Sequence, residues 1–228
     1  MSQYTAHPTK APMLDKDISY RRNLPHFHPE GHPLFITFHL ADSLPKHIIT
    51  ELKEQRENAL RLLPKESVEE RYKVEKKYFS RYDDWLDCCE HGPRWLGDAN
   101  IASIVTNKLH SMDKEYYKLF CYCLMLNHVH LLIQATDAKK ASHKGQSAKY
   151  PVTDALRLLK GSTARECNLE LKRSGSFWQH ESYDHYVRHD EELTRIIKYI
   201  FNNPVKANLV REWNDWKFTY INPYLGSW

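Results

Sequence analysis

Two histidines one residue apart, His128 and His130, stand in the most apolar and β-branched stretch of the chain, Tyr117 to Gln134. In a β-strand, successive side chains point to opposite faces. The two imidazoles therefore share a face, with backbones about 7 Å apart. Held that way by a sheet, they can share one metal ion, with Val129 buried behind them. The plainer reading is a polar strand face. Apolar flanks on both sides, however, give two neutral imidazoles there a need for partners. A second candidate lies near the C-terminal end. Leu193, Ile196, Ile197, Ile200 and Phe201 recur at i, i+3, i+4, i+7 and i+8, a buried helical stripe. Tyr199 is off that stripe, roughly 130° from its centre, on the side that carries Arg195 and Asn203.

The elements that must position these groups follow from periodicity. Tyr117–Met125 and His128–Ala135 read as two strands joined by a turn at Leu126-Asn127. Leu34–Leu40, aromatic and β-branched, is the first strand of the core. Asp42-Ser43-Leu-Pro45 opens a helix, with Ser43 as candidate cap, running to about Leu63. Residues 64–97 are charged and aromatic, and Val68, Tyr72, Phe79, Tyr82 and Leu86 predict an inserted helix with a wet outer face. Ala99–Met112 is amphipathic and delivers the chain to the hairpin. Residues 137–149 read as a polar loop, and Val152 to about Asn168 as a helix whose Arg157, Lys160 and Arg165 suit either phosphates or a solvated face. The aromatic-basic stretch Ser176–Arg188 has room for a short strand. Asp190 caps the last helix, and Pro204 is expected to stop it. Residues 1–20 read as a loose N-terminus. Arg21–Pro33 reads as an ordered loop at best, whose His26, His28 and His32 suit the surface better than a metal.

With 228 residues, 41% hydrophobic and 27% charged, the chain can bury a core and is read as one domain, 21–228, with a helical insertion at about 64–97. A net charge of +4 permits nucleic acid as partner without arguing strongly for it. Five cysteines without framework spacing suggest a reducing compartment. No signal pattern and no long apolar run point to secretion or a membrane span, so a cytoplasmic location is expected.

With Asn127-His-Val-His130 and Tyr199-Ile-Phe-Asn-Asn-Pro-Val-Lys206 in hand, the chain resembles the REP-associated tyrosine transposases. These are bacterial HUH single-strand nucleases with one catalytic tyrosine. Tyr20–His26, Phe35–Phe38, Ser43–Pro45, Gly92–Leu96, Phe177–Gln179 and Asp184–Arg188 resemble that family's recurrent blocks in the same order. Any one block is weak, and the ordered set is specific. One departure is Leu126, where the family usually has Pro.

The resemblance implies an α+β, ferredoxin-like antiparallel sheet with packed helices and a helical insertion after the first strand-helix unit. It implies Tyr199 as nucleophile, His128 and His130 as paired metal ligands, and Asn203 as the third, amide ligand. The cofactor would be Mg²⁺ or Mn²⁺. The reaction would be endonucleolytic cleavage and strand transfer on single-stranded, hairpin-forming DNA through a 5′-phosphotyrosine, by a monomer or homodimer. Candidate DNA contacts are Arg21, Arg22, Arg157, Lys160, Arg165, Arg188 and Lys206. Tyr183 and Tyr186, beside Asp184 and His185, are rival nucleophiles. Two other readings stand: a structural zinc module on Cys121, Cys123, His128 and His130, and a DNA-binding protein that does not cleave.

Overall fold

A computed structural model describes residues 18–21, 25–28, 31–136 and 151–225, with side chains from Gly31 onward. The expected loose N-terminus, up to residue 17, and the loop at 137–149 lie outside the described residues. Two short strands, β1 (Ile18–Arg21) and β2 (Pro25–His28), form an antiparallel pair where the sequence suggested only loop.

The core is a five-stranded antiparallel sheet in the order β6-β3-β5-β4-β7. Its strands are β3 (Leu34–His39), β4 (Tyr117–Leu124), β5 (His128–Ala135), β6 (Tyr183–Tyr186) and β7 (Thr219–Ile221). The four strands β3 to β6, taken in chain order, lie 4-1-3-2, an order compatible with the ferredoxin-like expectation. Every residue of β3 is buried, as a strand covered on both faces requires. β4 and β5 form the expected hairpin. Leu124 pairs Val129, Met125 N–H donates to His128 O at 2.8 Å, and Leu126-Asn127 is the connection.

Among the described residues there are five α-helices, α1 (Lys46–Arg61), α2 (Val68–Cys88), α3 (Ala99–Ser111), α4 (Pro151–Glu170) and α5 (Asp190–Lys206), of which α1 packs on α2. Strand alternation divides the interior into two. Leu34, Ile36, Phe38, Val129, Leu131 and Ile133 pack with α3 and α4 on one face. Phe35, Cys121, Cys123 and Leu132 face Phe79 of α2 and Ile197, Ile200 and Phe201 of α5 on the other. The histidine pair has the parity of this second face.

Several helix ends differ from expectation. α1 starts after Pro45, and the Ser43 hydroxyl donates to Leu40 O at 2.8 Å rather than capping it. The cap of α5 is His189, with Asp190, Glu191 and Glu192 forming an acidic first turn that suits the helix dipole. Pro204 does not end α5, which continues to Lys206. Val68 is exposed, so the buried side of α2 is carried by Tyr78, Phe79, Asp83, Leu86 and Asp87. α3 is capped by Asp98, which accepts from Asn100 N at 2.8 Å and Ile101 N at 3.2 Å. After α2 the chain doubles back through Gly92, at φ +72°, so close to Asp42 that a Cβ there would sit 2.2 Å from its carbonyl oxygen.

Candidate metal centre and tyrosine cleft

β5 presents His128 and His130 to the α2–α5 face, both fully buried. Their Nε2 atoms face each other at 3.0 Å. Each ring is held from behind. His128 Nδ1 bonds Asn127 Oδ1 at 2.7 Å, and Asn127 is itself tied to Leu86 O at 3.1 Å. His130 Nδ1 bonds Thr37 Oγ1 at 2.8 Å from the neighbouring strand. With Nδ1–H donating in both, the Nε2 lone pairs are left for a cation.

α2 brings two carboxylates to the same spot. Asp83 Oδ1 lies 3.6 Å from His130 Nε2, and Asp87 Oδ1 lies 3.5 Å from His128 Nε2. Asp83 is 1% exposed, and neither of its oxygens has a hydrogen-bond partner. Ligand atoms of Asp83, His128 and His130 all lie within 4.8 Å of one another, a group able to hold a metal ion. Burial, reinforced by Asp87, pushes the Asp83 carboxyl well above the usual carboxylate range. Burial also holds the His128 imidazole well below its ordinary value and lowers His130 to about 3.

α5 completes the centre. In the amide orientation that lets it donate to Asp87 at 2.8 Å, Asn203 places its oxygen 3.1 Å from His130 Nε2, so that with a cation between them both atoms can act as ligands. The Tyr199 ring, one turn earlier, stands edge-to-face with His130 at 5.4 Å between centroids and with Phe35 at 5.8 Å. Lys206 reaches across to α2, with Nζ 2.7 Å from Asp84 Oδ1 and 2.9 Å from Asp87 Oδ2. Although burial opposes it, these two carboxylates raise the Lys206 pKa.

Tyr199 lines a cleft of about 340 Å³ between α2 and α5, with Tyr72, Phe79, Tyr183 and Ile196 among its walls. The rival Tyr183 pairs with Thr37, which in turn pairs with His130. It therefore stands two strand spacings from that imidazole, roughly 10 Å at the backbone. Its ring stacks on Phe79 at 3.7 Å. Tyr186, the other rival, meets His32 edge-to-face at 6.0 Å.

The structure meets half of the zinc arrangement. Cys123 does lie opposite His130. Its thiol, however, contacts Met125 Sδ at 3.7 Å and Thr219 Oγ1 at 3.6 Å, and burial pushes it up to about 12. The carboxylate of Asp83, not a thiol, joins the histidines.

The basic candidates are scattered. Arg157 and Arg165 are exposed on α4, behind the sheet from the histidines. Lys160 donates to Gln179 O, His180 O and Ser182 Oγ at 2.6–3.2 Å, a structural pin. The Arg188 guanidinium lies 3.8 Å from the Tyr72 ring centroid, at the far end of the cleft. The Arg21 side chain and all of Arg22 lie outside the described residues, as do the side chains of His26 and His28.

No protein-family model matches the chain. Over 108 residues it is 27% identical to a Haemophilus influenzae protein whose curated name gives it provisionally as a REP-associated tyrosine transposase. The match covers 45% of this chain and 58% of that relative, so the chain spans little more than half the relative's length. A solved structure described as a REP-associated tyrosine transposase bound to a REP hairpin aligns over 88% of this chain and 80% of its own, with 14% identity and a TM-score of 0.47. Among the described residues, no helix is long and apolar enough to cross a membrane.

Proposed function

We propose that the chain is a metal-dependent endonuclease and strand transferase for single-stranded, hairpin-forming DNA, working through Tyr199 in the bacterial cytoplasm as a monomer or homodimer. One observation carries this reading: the Tyr199 ring stands 5.4 Å from that of His130, beside a buried set of metal-type donors. The named relative supports it.

The donors fit a divalent ion. His128 and His130 through Nε2 and Asn203 through its amide oxygen would hold it, and the unpartnered Asp83 carboxylate adds a fourth donor from α2. Mixed nitrogen and oxygen donors suit Mn²⁺ well and Mg²⁺ less well. The ion would supply positive charge to a non-bridging phosphate oxygen, offsetting the charge that builds during displacement. Two imidazoles and an amide are neutral, so Asp83 alone among these donors lowers the centre's net charge.

Tyr199 Oη attacks the phosphorus. The new P–O bond makes a 5′-phosphotyrosine, and the bond to the 3′ oxygen breaks, leaving a 3′-OH once that oxygen takes up a proton. A phenol ordinarily ionises near pH 10, so attack near neutrality needs help in releasing its proton. The phosphodiester energy is kept in the tyrosine ester, so a second 3′-OH can reverse the step and join strands. Thr37 and Asn127 fix the imidazoles, and Phe35 packs against the tyrosine ring.

The test is a labelled hairpin oligonucleotide incubated with Mn²⁺ or Mg²⁺. A covalent protein–DNA adduct should form with the native chain and vanish in Tyr199→Phe. An undiminished adduct in that variant removes Tyr199 as the nucleophile.

A further inference from the structure

The helices α2 and α5 run side by side in the same direction and are tied at two places. At one end Tyr72 Oη donates to Glu192 Oε1 at 3.2 Å, and at the other Lys206 joins Asp84 and Asp87. Between the ties the helices stand apart, and the cleft of about 340 Å³ opens over the sheet. We propose that this cleft binds one unpaired nucleotide of the DNA strand, adjacent to the phosphate that Tyr199 attacks. The proposal rests on the nuclease reading and adds to it a base-binding subsite.

Size and chemistry argue for that occupant. The volume is at the small end of the range for sites that enclose a small molecule, about 300–1,000 Å³, so it suits one nucleotide and excludes a base pair. The half-buried rings of Tyr72, Tyr183 and Tyr199 line it, and base–aromatic contact is the sequence-tolerant way to hold a single strand. Lys76 and Arg195, both exposed, stand at its rim, where a sugar–phosphate would leave it.

The end away from the metal centre is built for polar recognition. Glu192, only 7% exposed, accepts from Tyr72 Oη at 3.2 Å, His185 Nε2 at 3.1 Å and Arg188 N at 2.9 Å. The Arg188 guanidinium covers one face of the Tyr72 ring, and its Nε is buried without a hydrogen-bond partner. A base edge placed there meets a fixed carboxylate and imidazole rather than bulk water. This gives the inserted helix a job: Tyr72, Lys76, Phe79 and Ser80 of α2 form the outer wall of the subsite.

The experiment uses the full chain, free of divalent ions, and titrates the four deoxynucleoside 5′-monophosphates against deoxyribose 5-phosphate by calorimetry. At least one nucleotide should bind about tenfold tighter than the base-free sugar phosphate. Ser80→Trp, which fills the cleft from an exposed position on α2, should weaken that nucleotide about tenfold without lowering the melting temperature. Tyr72→Ala should weaken it as well. If no nucleotide outbinds the sugar phosphate, or if Ser80→Trp leaves nucleotide affinity unchanged, the subsite is overturned. Adduct formation at Tyr199 is scored separately. An adduct without nucleotide binding sinks the subsite alone, whereas nucleotide binding without an adduct sinks the cleavage reading, and with it the placement beside an attacked phosphate, and leaves a nucleotide-binding cleft.

Discussion

The Nε2 atoms of His128 and His130 stand 3.0 Å apart, with the unpartnered carboxylate of Asp83 3.6 Å from the second. Two ring nitrogens at that distance attract when one carries hydrogen, or when both offer lone pairs to a shared cation. The orphaned carboxylate favours the cation. Asp83→Asn keeps the shape and removes the charge, and should weaken Mn²⁺ binding at least tenfold in calorimetry, with no DNA present. Unchanged affinity takes Asp83 out of the ligand set.

Thr37 acts through His130. Thr37→Val leaves a buried Nδ1 without its partner, which should cost about 1–3 kcal/mol in urea unfolding. It should also weaken Mn²⁺ binding by roughly 10–100-fold. Thr37→Ser should restore both. A valine variant that binds the ion like the native chain would show that the threonine has no orienting role.

Lys206 neutralises part of a carboxylate cluster rather than waiting free for a phosphate. Its ion pair with Asp84 is exposed and worth little, whereas Asp87 is largely buried. Lys206→Met should therefore lose about 1–2 kcal/mol of stability after allowance for solvent screening. Saturating Mn²⁺ should recover part of the loss, because a cation at Asp83 and the histidines offsets the same negative charge. A melting temperature unmoved by the substitution would count against the tie.

Burial lowers the pKa of His39 to about 4 and of His130 to about 3, and depresses His128 as well. In the unfolded chain each returns to about 6.5. Below that pH the unfolded state binds more protons than the folded one, so stability falls as pH falls. Burial raises the Asp83 and Asp87 carboxyls, and these act in the opposite sense, so the histidine contribution is read as the difference between metal-free native and His39→Gln chains from pH 6.5 towards 4. His39→Gln should reduce the slope by about 1.4 kcal/mol per pH unit. An unaltered slope would mean that His39 is not titrating in this window.

Gly92 holds the exit from α2 against the end of the first core strand. Its φ of +72° and the 2.2 Å that would separate a Cβ from Asp42 O leave no room for a side chain. Gly92→Ala should cost about 2–4 kcal/mol in chemical unfolding. A loss below about 0.5 kcal/mol would show that the turn can relax.

The hairpin, the shared face of the two histidines and the stripe of α5 are all legible in the letters, because each is a local period. The contribution of α2 is not. Asp83 and Asp87 sit four apart in a helix crowded with charge, where such a pair reads as solvated. The available signal was their place among Phe79 and Leu86 on the buried side. Thr37 gave no signal at all, since only the strand register puts it next to His130. The ties on Lys160 and Lys206 were equally invisible, because the partner carbonyls and carboxylates are distant in sequence. Helix ends misled for a related reason. The Ser43 hydroxyl donates back to Leu40 O and accepts from no helix N–H, and Pro204 falls in a last turn that runs on past it.

Val129 sits between the two histidines in sequence and on the opposite side of the sheet in space, packed with α3 and α4. Candidate metal centre and structural interior are thus written in alternate letters of a single strand. Inserting or deleting one residue within β5 would exchange the two, sending an imidazole into oil and a valine to the tyrosine. Descendants of this chain are free to drift in loop length and surface charge, but on this strand they can change length only in steps of two.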